Sequence, residues 1–179
     1  MTTTAAGLVS TTVTAAALGP LAPLGFELEE PAESGGDTRT GQGPRIWVYV
    51  QNDAAAATAW IAGHVIARLA SVPGPPVIPT TTHLGVLAPV DSNPVRILGV
   101  AQHAIPAGSF GFVLKRGIGE VLAGAETIDI NEVVAVSAAT VGAGMEGGAI
   151  AAAAHEAAVI GWGLEDSAAA STATCWITC

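Results

Sequence analysis

The sequence predicts an all-β protein: a small antiparallel β-barrel or sandwich, built as a meander of short strands, with an extended N-terminal arm. Three observations predict it. Residues 94–125 (PVRILGVAQHAIPAGSFGFVLKRGIGEVLAGA) set short apolar runs with a period near two between Pro and Gly turns. No 3.6-residue apolar stripe runs through that stretch, so an amphipathic helix is not expected there. The apolar residues are mostly Ala, Val, Ile and Leu, with 22 Gly and only 4% aromatics. Such a composition builds thin, closely packed strands rather than a bulky core around a large pocket.

Residues 1–44 read as a low-complexity arm and linker, and residues 45–179 as the barrel domain. The arm opens with Thr, Ala and Val. It then sets Leu21, Leu24 and Phe26 beside Pro20 and Pro23, ahead of the acidic residues Glu27, Glu29, Glu30 and Glu33. Prolines hold the backbone extended and reduce the entropy lost on ordering. The three apolar side chains read as anchors onto a neighbouring subunit or a larger shell, so removing residues 1–36 should leave the barrel folded but weaken its attachment.

The strongest strand signal is residues 45–51 (RIWVYVQ), β-branched and aromatic, ended by Asn52-Asp53. Residues 60–69 follow, with a bend at Ala62-Gly63. Residues 72–79 hold four prolines and read as an extended loop. Residues 84–89 make a short strand, and residues 91–94 a turn. The central stretch divides into runs at 95–101, 110–115 and 120–122, with a break at Gly117-Ile118-Gly119. Residues 126–136 suggest a strand pair with its corner near Asn131. Residues 149–158 (AIAAAAHEAA) have helical propensity but lie between sheet-like neighbours, and are assigned as strand plus turn. Residues 171–178 form the last strand. One internal echo links Leu98-Gly99-Val100-Ala101 to Ile160-Gly161-Trp162-Gly163. Each is followed by a turn and a strand, as two hairpins of one barrel would be.

At 179 residues the chain is one domain, or one domain plus an arm. Charged residues make up only 12%, against about a quarter in typical domains. Mean hydropathy is +0.53, yet no run of eighteen apolar residues escapes Gly, Pro or charge. The N-terminus lacks the cationic start of a secretory signal. A soluble chain this poor in charge is expected to cover its surface with partners, as a trimer or a subunit of an assembly. A net charge of −9 with six Lys and Arg argues against nucleic acid and against anionic membranes as partners.

No constellation of catalytic residues stands out, and no metal or cofactor is expected. His64, His83, His103 and His155 are not paired at ligand spacing. Ser109 and Ser137 lack a nucleophile elbow. Residues 142–147 (GAGMEG) loosely match a Gly-rich fingerprint without a βαβ context. Glu126, Asp129 and Glu132 read as solvated turn charges rather than a calcium site. Cys175 and Cys179 lie too far apart along a strand to bridge, and read as small buried hydrophobes. Trp60, Trp162 and Trp176 are interface candidates, since aromatics are enriched at interface cores and this chain has few. Trp47 is assigned to the core.

Residues 95–117 (VRILGVAQHAIPAGSFGFVLKRG), 61–66 (IAGHVI) and 160–165 (IGWGLE) resemble the small capsid decoration, or cement, proteins of tailed phages. The resemblance covers about half the chain, all of it beyond the arm. It implies a β-rich fold without catalysis, a homotrimer, and a place on the exterior of a virion capsid, where the subunit binds the major capsid protein and bridges its copies. The Pro-rich loop and the arm have no counterpart in that pattern. A virion fibre or receptor-binding module is the alternative reading. An enzyme on a β-barrel scaffold would need a polar cluster in a pocket, and the sequence offers none.

Overall fold

The computed structural model describes residues 16–30, 43–56, 58–69, 83–90, 97–146 and 158–179. Ten strands form one sheet: β1 (Glu27–Glu30), β2 (Arg45–Asn52), β3 (Val65–Arg68), β4 (Leu84–Leu87), β5 (Ile97–Ala101), β6 (Phe110–Leu122), β7 (Val133–Val136), β8 (Gly144–Glu146), β9 (Val159–Gly163) and β10 (Thr172–Thr178). A single 3-10 turn at Ala54–Ala56 is the one helical element among the described residues. The all-β class stands.

The sheet closes on itself. β2 pairs with β4, β4 with β3, β3 with β5, β5 with β6, and β6 returns to β2. These five strands make the first ring. The second half of β6 then pairs with β10, β10 with β9, β9 with β7, and β7 with β8. A parallel bridge from Ala123, one residue past β6, to Gly144 on β8 closes a second ring. The amide of Gly124 donates to the carbonyl of Gly144 beside it, at 2.9 Å. The thirteen residues of β6 thus serve both rings.

The two rings are copies of one topology, in matching register. In the first, Val65 faces Val100 and Ile66 faces Gly99. In the second, Val133 faces Trp162 and Val134 faces Gly161. A bulge follows at the same point in each, between Ile66 and Ala67 and between Val134 and Ala135. The first strand pairs in parallel with the third in both rings, Asn52 with Gly85 and Ala123 with Gly144. Even the turns agree. Gly63 and Asn131 both have positive φ, at 86° and 65°, and so do Gly108 and Ala170, at 78° and 59°.

The internal echo is therefore a duplication, with one hairpin in each of two rings rather than two hairpins of one barrel. The parallel pairing of β2 with β4 also departs from a simple meander. The break expected at Gly117-Ile118-Gly119 does not end a strand; β6 runs through it. At Gly117, with φ of 120°, the strand leaves the first ring for the second. The expected strand pair over residues 126–136 reduces to β7, preceded by a turn with Asn131 at positive φ and an isolated bridge from Ile128 to Ser167. The assignments for residues 72–79 and for 149–157 lie outside the described residues.

Each ring has its own filling. Val48, Val50, Trp60, Ile66, Leu98 and Val113 cluster inside the first. Register places Gly119, Val121, Ile128, Val134, Ile160 and Cys175 at the corresponding positions of the second. Its side chains are smaller, so its backbones must come closer for the interior to stay packed. A Cβ on Gly161 would lie 1.9 Å from the carbonyl oxygen of Trp176, and one on Gly163 would lie 2.3 Å from that of Asp129. Only glycine permits those approaches.

The arm boundary expected at residue 44 falls inside the sheet. β1 adds to the edge of β2, with Leu28 opposite Trp47. Glu30 accepts a hydrogen bond from the Trp47 indole at 3.0 Å and forms an ion pair with Arg45 at 3.4 Å. Glu27 pairs with Lys115 on β6. Upstream, Ala17 bridges Phe110, and the amide of Leu21 donates to the Tyr49 hydroxyl at 2.9 Å. The physical reason is the pattern of residues 27–30. Leu28 covers Trp47, while two of the carboxylates meet cations on the first ring.

Candidate interaction surface

Side chains directly opposite across an antiparallel pair share a face and lie close together. On the second ring this aligns four apolar residues across four strands. Ile118 on β6 faces Trp176 on β10, Trp176 faces Trp162 on β9, and Trp162 faces Val133 on β7. Trp162 is 43% exposed, and the other three are half-buried. The first ring carries the same row: Trp47, Leu114, Val100 and Val65. None of these is more than 1% exposed. Leu28 extends that row by one strand, and Phe26, Leu28 and Ala22 pack on the cluster it belongs to. One surface thus occurs twice in the chain. On the first ring it is covered; on the second, part of it faces solvent.

The polar groups around the open row are set by specific contacts. The carboxamide of Gln102 donates to the carbonyl of Glu120 at 2.9 Å and accepts from its amide at 2.8 Å. That holds the β6 backbone and leaves the Glu120 carboxylate exposed. The Glu165 carboxylate accepts from both the amide and the hydroxyl of Thr174, at 2.8 and 2.7 Å. These two bonds favour its charged form and hold its pKa below the usual carboxylate value. Arg116 is exposed at one end of the row. Beyond Arg116 the sequence contains no Lys or Arg, yet it has eight Asp and Glu.

Of the six residues singled out from sequence, Trp162 and Trp176 meet on this surface. Trp60 does not. It is fully buried, bridged to Ile105, and fills the first ring against Gly85, whose missing side chain makes the room. Leu21 and Leu24 are exposed, while Phe26 packs on the core of its own chain. Ile118 and Val133 were not anticipated. A signal existed, in the two glycine-flanked apolar residues Gly117-Ile118-Gly119 and Gly161-Trp162-Gly163, which flank Trp176 across the sheet.

The remaining candidates sit in structural positions. Ser137 is buried, and its hydroxyl accepts from the amides of Ala139 and Thr140. Residues 144–146 of the Gly-rich stretch are strand, not the start of a helix. Burial pushes the pKa of His64 and of His103 down. Cys175 and Cys179 are unbridged, and burial pushes both thiols up to about 12. Among the described residues no group of three or more His, Cys, Asp or Glu could hold a metal ion.

The architecture is that of an all-β protein of two five-stranded rings joined through one strand. No family model and no curated protein matches the chain. Among solved structures, it is similar to the N base of head fiber gp8.5 of bacteriophage phi29, with a TM-score of 0.48 and 12% identity over 75% of this chain and 94% of that chain.

Proposed function

We propose that the protein is a structural subunit of a phage virion, a decoration protein that binds the capsid exterior and bridges copies of the major capsid protein, acting as a trimer and without catalysis or cofactor. The observation that carries this reading is the open apolar row on the second ring. It is a surface built for contact, on a chain too poor in charge to solvate itself well. The resemblance of residues 95–117, 61–66 and 160–165 to capsid decoration proteins supports the same role. Electron microscopy of intact particles tests it. Extra density of this size on the outer shell, absent from particles lacking the protein, is the expected result. Particles that carry no copy of the protein would exclude the role.

A second reading, a virion fibre or its base, gains support from the duplication. Fibres are built from repeats, and the echo in the sequence corresponds to two rings in matching register. Density projecting from the particle instead of lying over the shell would favour it.

A further inference from the structure

The open row on the second ring has a covered twin on the first, so its apolar character is that of a surface meant to be buried. The question is what covers it. A second copy of the chain meeting it face to face would set a face with two exposed carboxylates, Glu120 and Glu165, against the same face. Among the described residues, Arg116 is the exposed cation on that face, against the two exposed carboxylates Glu120 and Glu165. Like charges brought together at a desolvated interface are repelled. The carboxylate of Glu165 accepts two hydrogen bonds from Thr174, which favour its charged form.

We propose that the outer face of the second ring, centred on Trp162 and Trp176, docks a partner protein through an apolar patch edged by Lys or Arg. This deepens the reading above, in which that partner is the shell subunit. The tryptophans and Ile118 supply the buried centre, and Glu120 and Glu165 form the acidic rim that sets orientation and speeds association.

The test uses the intact chain and two short synthetic peptides, one of alternating valine and lysine and one of alternating valine and glutamate. Tryptophan fluorescence is the readout, since Trp47 and Trp60 are buried and the change comes from Trp162 and Trp176. The lysine peptide should bind, weaken at least about fivefold between low and high salt, and outcompete the glutamate peptide by about tenfold or more. Trp162→Thr and Glu120→Lys should each weaken it by about tenfold, while Ile61→Thr, at an exposed apolar position of the first ring, should not. Equal binding of both peptides, or loss of binding in Ile61→Thr, would overturn the proposal. So would a dimer in sedimentation that Trp162→Thr dissolves, because the occupant would then be a second copy. No virus particle enters this experiment. A positive result with particles that lack the protein would leave the docking surface standing and remove only the virion role.

Discussion

Trp162 and Trp176 face each other across β9 and β10 at the positions that Val100 and Leu114 hold in the first ring. The same backbone register carries a buried aliphatic pair in one ring and a partly exposed aromatic pair in the other. The difference lies in the cover. The first-ring row packs in one cluster with the interior of the second ring, residues Ala22, Phe26 and Leu28 pack on that cluster, and Glu30 engages both Trp47 and Arg45.

That cover makes a prediction about truncation. Removing residues 1–30 strips Phe26 and Leu28 from the core and leaves Trp47 without its Glu30 partner. Full burial of an apolar side chain contributes roughly 1.5–3 kcal/mol, and these two half-buried ones supply part of that each. The truncated chain should melt well below the intact one in thermal denaturation. An unchanged melting temperature would show the segment to be a passive arm.

The glycine pair at the bulges predicts a sharp contrast. Gly161→Ala would force a Cβ to within 1.9 Å of the Trp176 carbonyl, and Gly99→Ala to within 2.6 Å of the Leu114 carbonyl. Both contacts are with backbone, which cannot swing aside. Each variant should lose about 3 kcal/mol or more in denaturant unfolding. Gly19→Ala, with nothing within 4 Å, should be close to neutral.

Ala170 is the counterpart of Gly108, at φ of 59° instead of 78°. A left-handed alanine costs about 1–2 kcal/mol, part of which glycine returns as unfolded-state entropy. Ala170→Gly should therefore stabilise the protein by up to about 1 kcal/mol, measured by chemical denaturation.

Asn52 is fully buried and donates through Nδ2 to the carbonyls of Thr58 and Ile105, at 2.9 and 2.8 Å. Asn52→Leu removes both bonds and leaves the Ile105 carbonyl with the Trp60 amide as its one remaining donor, for a loss of about 1–3 kcal/mol. Its second-ring counterpart is Ala123, so an equal substitution there removes no such bond.

His64 and His103 have pKa values lowered by burial, and both ring nitrogens of His103 are buried without a hydrogen-bond partner. A folded-state pKa below the unfolded value means that the unfolded chain takes up protons first. Stability should therefore be full above about pH 6.5 and fall as pH drops below it through the folded values. His103→Leu should flatten that slope. A slope identical in the variant would assign the pH dependence elsewhere.

How much was legible follows from what pattern encodes. The alternation and β-branching of RIWVYVQ placed β2, and the turn chemistry of Ala62-Gly63 and of residues 105–108 placed the hairpins, because these are local preferences. Trp60 was misjudged because burial depends on what stands opposite, and Gly85 is far away in sequence. Residues 27–30 read as an arm from sequence because their pairing with β2, which sets Leu28 opposite Trp47, is made across a gap of fourteen residues or more that local pattern does not encode.

The sequence by itself determined that the chain is all-β, rich in glycine-punctuated strands, acidic beyond Arg116, and echoed once internally. Those are properties of composition, periodicity and order along the chain. Only the tertiary structure decided that the echo is two complete rings sharing β6, and that Ile118, Trp176, Trp162 and Val133 fall into one row. Cross-strand register is settled by hydrogen bonding between segments distant in sequence. A shift of one residue would turn every one of those side chains to the opposite face.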